Sequence, residues 1–162
     1  MDKLIGEWQA GKDSKSDQNK KLIVQISKQK ARNINRLADD FHADTIKKID
    51  CLACANCCTT IPPIVNETDI RRISKFLGIK TARFTHEYLT TDEDGDQVMK
   101  KVPCVFLGTD NKCAIYEVRP KACREYPHTD QSQFMKNLNL HLVNVRYCPI
   151  VYQILERFKT GI

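Results

Sequence analysis

A chain of 162 residues, 41% hydrophobic and 28% charged, is long enough for one domain with a real core, and no run in it approaches the roughly 18 apolar residues that would span a membrane. The net charge of +6 is spread evenly, with 11 basic and 8 acidic residues up to position 50 and 15 and 12 after it, so composition argues against a nucleic-acid binder. Eight cysteines are the outlier. The start, MDKLIGEWQAGKDSKSDQNK, has no apolar segment of the secretory kind, so the expected setting is cytoplasmic, where thiols stay reduced and a cysteine cluster points to metal or redox chemistry rather than to disulfides.

In chain order, residues 1–19 read as a polar, loosely ordered arm in which Trp8 alone is suited to dock on the body. Residues 20–162 read as a single cysteine-cluster domain. It opens with a long helix over 20–49, because Leu22, Ile23, Ile26, Ile34, Leu37, Ala38, Phe41, Thr45, Ile46 and Ile49 recur at three- and four-residue steps with no Gly or Pro between them. Lys20, Lys21, Lys28, Lys30, Arg32 and Arg36 make its basic half. That half is read first as a solvated face, and secondly as a surface (residues 20–36) for an acidic protein partner.

Next comes CLACANCC, with thiols at Cys51, Cys54, Cys57 and Cys58. Thr59-Thr60-Ile61-Pro62-Pro63 forces extended chain. The segment after it predicts a helix capped by Asn66 or Thr68 and stopped by Gly78, then a short helix over 81–89. In TTDEDGDQ, Asp92, Asp94 and Asp96 suggest calcium, but Gly95 and Pro103 stand at the wrong places for that loop, and an Asp-Gly hairpin turn accounts for the acids. Val98–Val102, 104–107 and 113–116 are expected as strands, the last two as a hairpin that can bring Cys104 and Cys113 close together. Arg119-Pro120 opens a short helix carrying Cys123. Residues 131–147 favour partial burial, as helix end or strand, and Cys148-Pro149 leads into a last helix. The expected fold class is mainly α (α+β): helices around a cysteine-ligated metal centre, with a small β-hairpin.

Thiolates are soft, strong donors for zinc, ferrous iron and iron–sulfur clusters, and four per site is the usual number. Eight cysteines therefore allow two complete sites, or one site with auxiliary thiols. Cys51-x2-Cys54-x2-Cys57 is the three-cysteine core of the bacterial ferredoxin run, whose closing Cys-Pro could be supplied from a distance by Cys148-Pro149. Zinc ribbons want a second CxxC knuckle, which Cys104, Cys113, Cys123 and Cys148 do not provide, so the spacing tilts toward an iron–sulfur cluster (4Fe-4S), with a zinc or iron ion as the alternative. Adjacent Cys57 and Cys58 suit two different centres, or one ligand and one spare thiol. His128 is a candidate substitute ligand, though a surface imidazole is the better reading; His42 reads as a helix-surface or packing residue.

The CxxCxxCC run, PCVFL…KCAIYEVRPKACREYP at 103–127, and the late Cys-Pro together resemble the YkgJ-type cysteine-cluster family of zinc- or iron-chelating domains. The resemblance covers about 51–149, includes Thr68-Asp69-Ile70, and implies that all eight cysteines ligate metal. Ala55-Asn56 departs from it where glycine is common before the CC pair, and Ile150 where Gly often follows Cys-Pro. Arg119 and Arg124 fall within the shared motif and suit a supporting role, offsetting thiolate charge and donating to sulfur. Flagellin lysine N-methylase is similar through the same cysteines, which makes a cluster-dependent enzyme the second function; no glycine-rich nucleotide loop supports it. The third is a binding module using the basic helix on an acidic protein or nucleic acid.

Overall fold

The computed structural model describes residues 3–161. In chain order its elements are α1 (Lys3–Gly11), α2 (Ser16–Ser27), α3 (Ala31–Ile46), α4 (Cys51–Cys54), α5 (Asn56–Thr60), α6 (Glu67–Leu77), α7 (Thr81–Tyr88), β1 (Leu89–Thr91), β2 (Gln97–Met99), α8 (Lys121–Glu125), α9 (Leu138–Asn144) and α10 (Pro149–Gly161). The fold is thus mainly α with one small antiparallel hairpin. The chain separates into two units, Met1–Cys54 with Pro127–Ile162, and Ala55–Tyr126. Among the described residues no helix is long and apolar enough to cross a membrane.

The first unit begins with a helix where a loose arm is expected. Ile5 and Trp8 stand three residues apart, so α1 carries one apolar face, and both are buried. The Trp8 indole N–H donates to the Val145 carbonyl at 2.9 Å, which satisfies the one polar atom that its burial would otherwise strand. Lys15 donates to the Tyr152 hydroxyl at 2.8 Å and to Glu156 at 2.7 Å.

The long helix expected over 20–49 is two helices. Ser27 turns its hydroxyl back onto the Val24 carbonyl at 2.8 Å, and Lys30 is extended (φ −67°, ψ 119°) before α3 starts. The break lets two apolar sets bury independently: Leu22, Ile23 and Ile26 on α2, which packs on α9 and α10, and Ile34 and Ala38 on α3, which packs on α10. Phe41 meets Phe158 edge-on at 5.0 Å. The mixed stretch after Pro127 resolves as helix α9 behind a 3-10 turn at Met135–Asn137, anchored where Asn35 accepts from the Met135 N–H at 2.9 Å.

In the second unit, Val65, Ile70, Ile73, Phe84, Leu89, Met99, Phe106 and Ile115 form the core. Asn66 caps α6 as part of a full capping box with Asp69, and Gly78 ends the helix in the left-handed region at φ 68°. β1 pairs with β2 in the register Leu89↔Met99, Thr90↔Val98, Thr91↔Gln97. Asp92 accepts from the N–H groups of Asp94 and Asp96 at 3.0 and 2.9 Å, so the acids of this loop serve its turn.

Residues 104–107 and 113–116 do not form strands. They share one isolated bridge, Leu107↔Cys113. The Cys104 N–H that a ladder would use goes instead to the Cys58 carbonyl at 2.8 Å, while Gly108 closes a tight turn onto the Lys112 carbonyl. Phe106 and Ile115 still reach the core, so packing holds this loop without a sheet.

Candidate metal centre

The cysteine run does not make one turn. Asp50 accepts from the Leu52 N–H at 2.9 Å and starts the single helical turn α4, which carries Cys51 and Cys54. Ala55 then adopts left-handed backbone (φ 45°), a conformation that favours glycine, and α5 follows with Cys57 and Cys58. Neighbours on a helix point about 100° apart, and the Cys57 and Cys58 sulfurs are 4.0 Å from each other.

The thiols sort into two sets, one per unit. In the first unit Cys148 is buried at the start of α10, and burial pushes its thiol up to about 12, with Cys51 and Cys54 close enough for their charge to push the same way. In the second unit Cys58, Cys104, Cys113 and Cys123 feel one another. Cys123 is pushed up to about 12, first by burial, then by Cys58, Cys104 and Cys113. Its residue lies at the surface, but protein atoms crowd the sulfur. Cys104 and Cys113 are both raised, chiefly by burial, with Cys58 adding to each. Cys58 alone moves down, to about 7, because its hydrogen bond with the Cys57 thiol outweighs burial.

Backbone bonds hold three of these four segments together. Cys104 N–H meets the Cys58 carbonyl, and Leu107, bridged to Cys113, donates to the Cys104 carbonyl at 3.0 Å. The Arg119 guanidinium works against the rise at both Cys113 and Cys123, without reversing it. It is fixed over the Tyr116 ring, 3.8 Å from its centroid, and donates to the Tyr116 carbonyl at 2.7 Å. Arg124 donates to the Arg119 carbonyl at 2.8 Å, so it steadies the turn that carries the nearer cation.

None of the eight cysteines is in a disulfide. Among the described residues no three Cys, His, Asp or Glu side chains form a group that could hold a metal ion as they stand. The donor chemistry fits a soft metal: four sulfurs from separate segments, with one cation against their charge. His128 takes left-handed backbone (φ 63°) in the first unit, where its charge reaches the buried ring of His141. His42 bonds Thr129 at 2.8 Å.

One residue of this region is overlooked when the sequence is read for ligands alone. Asp69 is 1% exposed, with its carboxylate accepting from the backbone of Lys121, the first residue of the helix that bears Cys123. Its sequence signal is the acid three places after a capping Asn.

A small, mainly helical chain with eight free cysteines fits one class, the cysteine-based chelating domains. This chain belongs to the CxxCxxCC family, described as a "putative zinc- or iron-chelating domain", which it matches over residues 50–142, more than half its length. Membership supports metal binding by the domain. The chain is also similar to an uncharacterized protein of Methanocaldococcus jannaschii, 31% identical over 106 residues, 63% of this chain and 57% of that relative. It thus spans little more than half the length of that curated relative. No solved structure matches it.

Proposed function

We propose that the protein holds metal at two thiolate centres, one in each unit, and that neither is completed by the CxxCxxCC run alone. In the second unit Cys58, Cys104, Cys113 and Cys123 would be the ligands, with Arg119 offsetting their charge. In the first unit Cys51, Cys54 and Cys148 would serve one centre, and their pattern, a CxxC beside a Cys-Pro, keeps an iron–sulfur cluster as the first reading there. A zinc or iron ion suits the tetrathiolate set equally in donor number. Bound iron–sulfur would supply electron transfer; zinc would tie the loops together.

The observation that carries this reading is the sorting of the thiols, in which Cys58 groups with three late cysteines while Cys148 groups with the two earliest. The test is anaerobic purification followed by metal and acid-labile sulfide analysis of the intact chain and of Cys113→Ser and Cys148→Ser. Each variant is expected to lose part of the metal and keep the rest. Complete loss in both would mean one centre, and unchanged content in both would refute thiolate ligation by these sets. Sulfide equimolar with iron fixes a cluster; zinc without sulfide excludes one.

A further inference from the structure

We propose that Asp69 and Arg72, on the first turns of α6, are positioning residues for the four-thiol set: they fix the Val118–Lys121 turn and so decide where Cys123 and Arg119 stand. The proposal rests on the reading of Cys58, Cys104, Cys113 and Cys123 as one metal centre.

The starting point is a missing cap. α8 begins at Lys121, and the residue at its N-cap is Pro120, which has no side-chain group to accept from the helix's first N–H groups. The acceptor comes instead from a residue 52 positions earlier. The Asp69 carboxylate takes the Lys121 N–H on both oxygens, at 3.1 and 3.2 Å. A carboxylate at this end also meets the positive end of the short helix.

The same carboxylate is the meeting point of further groups. Arg72 donates to it at 2.6 Å, the Asn66 N–H at 3.3 Å, and Asn66 in return caps the Asp69 N–H at 2.9 Å. Arg72 then reaches across to the turn itself, donating from Nε to the Val118 carbonyl at 3.3 Å and from Nη2 to the Arg119 carbonyl at 2.8 Å. Arg124, one residue past Cys123, donates to that same Arg119 carbonyl. The turn is therefore held at both chemistries: its free N–H by an acid, its free carbonyls by a guanidinium. Arg119 carries one of the bonded carbonyls, and Cys123 lies two residues past the bonded Lys121 N–H.

Burial makes the arrangement selective. A charged group 1% exposed is tolerated only when its oxygens are saturated, and here every donor it uses belongs to Asn66, to α6 or to the start of α8. An amide cannot replace it. The side chain introduced by Asp69→Asn would present an NH2 toward the Lys121 N–H or the Arg72 guanidinium, donor against donor.

The experiment uses the full chain, stripped of metal under reducing conditions and titrated with Co²⁺ and Zn²⁺ against a chromophoric chelator. Thiolate-to-cobalt charge transfer reports the number of sulfurs bound. Asp69→Asn is expected to bind about 10- to 100-fold more weakly, the range for residues that orient ligands, with a weaker charge-transfer band at saturation. In a Cys123→Ser background Asp69→Asn should cost little more, because the ligand it positions is already gone. Arg72→Lys keeps the ion pair and loses the double reach to the carbonyls, so a smaller loss is expected; it also decides the matter if Asp69→Asn does not fold.

Wild-type affinity in a folded Asp69→Asn chain, or in Arg72→Lys where the former unfolds, would overturn the proposal. So would an equal loss from Asp69→Asn with and without Cys123, which would mark a general structural role. If Cys123→Ser itself leaves binding unchanged, the four-thiol reading fails and this proposal falls with it; if Cys123→Ser weakens binding and Asp69→Asn does not, only the positioning role fails.

Discussion

Cys58 is pushed down to about 7 while Cys123 is pushed up to about 12 and Cys104 and Cys113 are raised above their ordinary range, so of the four proposed ligands one is poised to ionise at neutral pH and three must first release a proton. Ligation consumes the charged form, so affinity climbs with pH. Between pH 7 and 9 the logarithm of the zinc affinity of this set should rise by about three per pH unit, and below pH 7 by about four, as Cys58 joins the groups that must ionise. Competition titrations at several pH values, corrected for the chelator's own protons, check the slope; a flat profile would contradict a four-thiolate site. In the metal-free chain the same ordering makes Cys58 the first of the four to be alkylated at neutral pH, because the thiolate is the nucleophile. Mass mapping of iodoacetamide adducts over time reads that directly. None of this ordering is visible in CLACANCC. It arises from the Cys57 hydrogen bond and from unequal burial, both products of the fold.

At the scale of elements, legibility follows the local strength of the signal. α6 could be read because Asn66 and Gly78 each impose a backbone state that few residues support, and both do in the structure what their chemistry predicts. The interval between α2 and α3 carries no such residue, and the break at Ser27–Lys30 lets α2 reach α9 as well as the α10 that α3 also packs on, which periodicity cannot reveal. The region around Cys104 misled for a related reason. Val105, Phe106 and Leu107 have strand character, but the hydrogen bonds of this stretch go to Cys58 and to a turn. Gly78 offers a clean measure of one local signal. A Cβ there would meet nothing within 4 Å, so Gly78→Ala carries only the cost of left-handed backbone, about 1–2 kcal/mol. Gly78→Asn should cost less, since Asn tolerates that conformation. Urea unfolding of the two variants should rank them in that order; equal stability of Gly78→Ala and the parent would show that the cap is not under strain.

At the scale of the whole molecule, the sequence names the cysteines of the candidate site, but their grouping in the proposal comes from the fold. Spacing along the chain groups Cys51 to Cys58, whereas Cys123 feels the charge of Cys58 and Cys148 feels that of Cys51 and Cys54, the basis of the two centres proposed above. That partition bears on stability. The second unit rests on a single modest core from Val65 to Ile115, and units of this size commonly need a metal or other tie to be stable. The first unit holds the chain's one tryptophan, buried on Val145, which gives it a private fluorescence signal. Cys113→Ser removes a proposed ligand from the second unit without touching the first unit's thiols. Amide exchange in the metal-loaded variant should therefore speed up across Ala55–Tyr126, most of all in Cys104–Ile115, a stretch held by one isolated bridge rather than a ladder. The Trp8 unfolding transition should move far less. Metal binding at the four-thiol set would then be part of the folding free energy of the unit that holds it. Exchange rates unaltered by Cys113→Ser would mean that the hydrophobic core suffices, and that the cysteines serve chemistry alone.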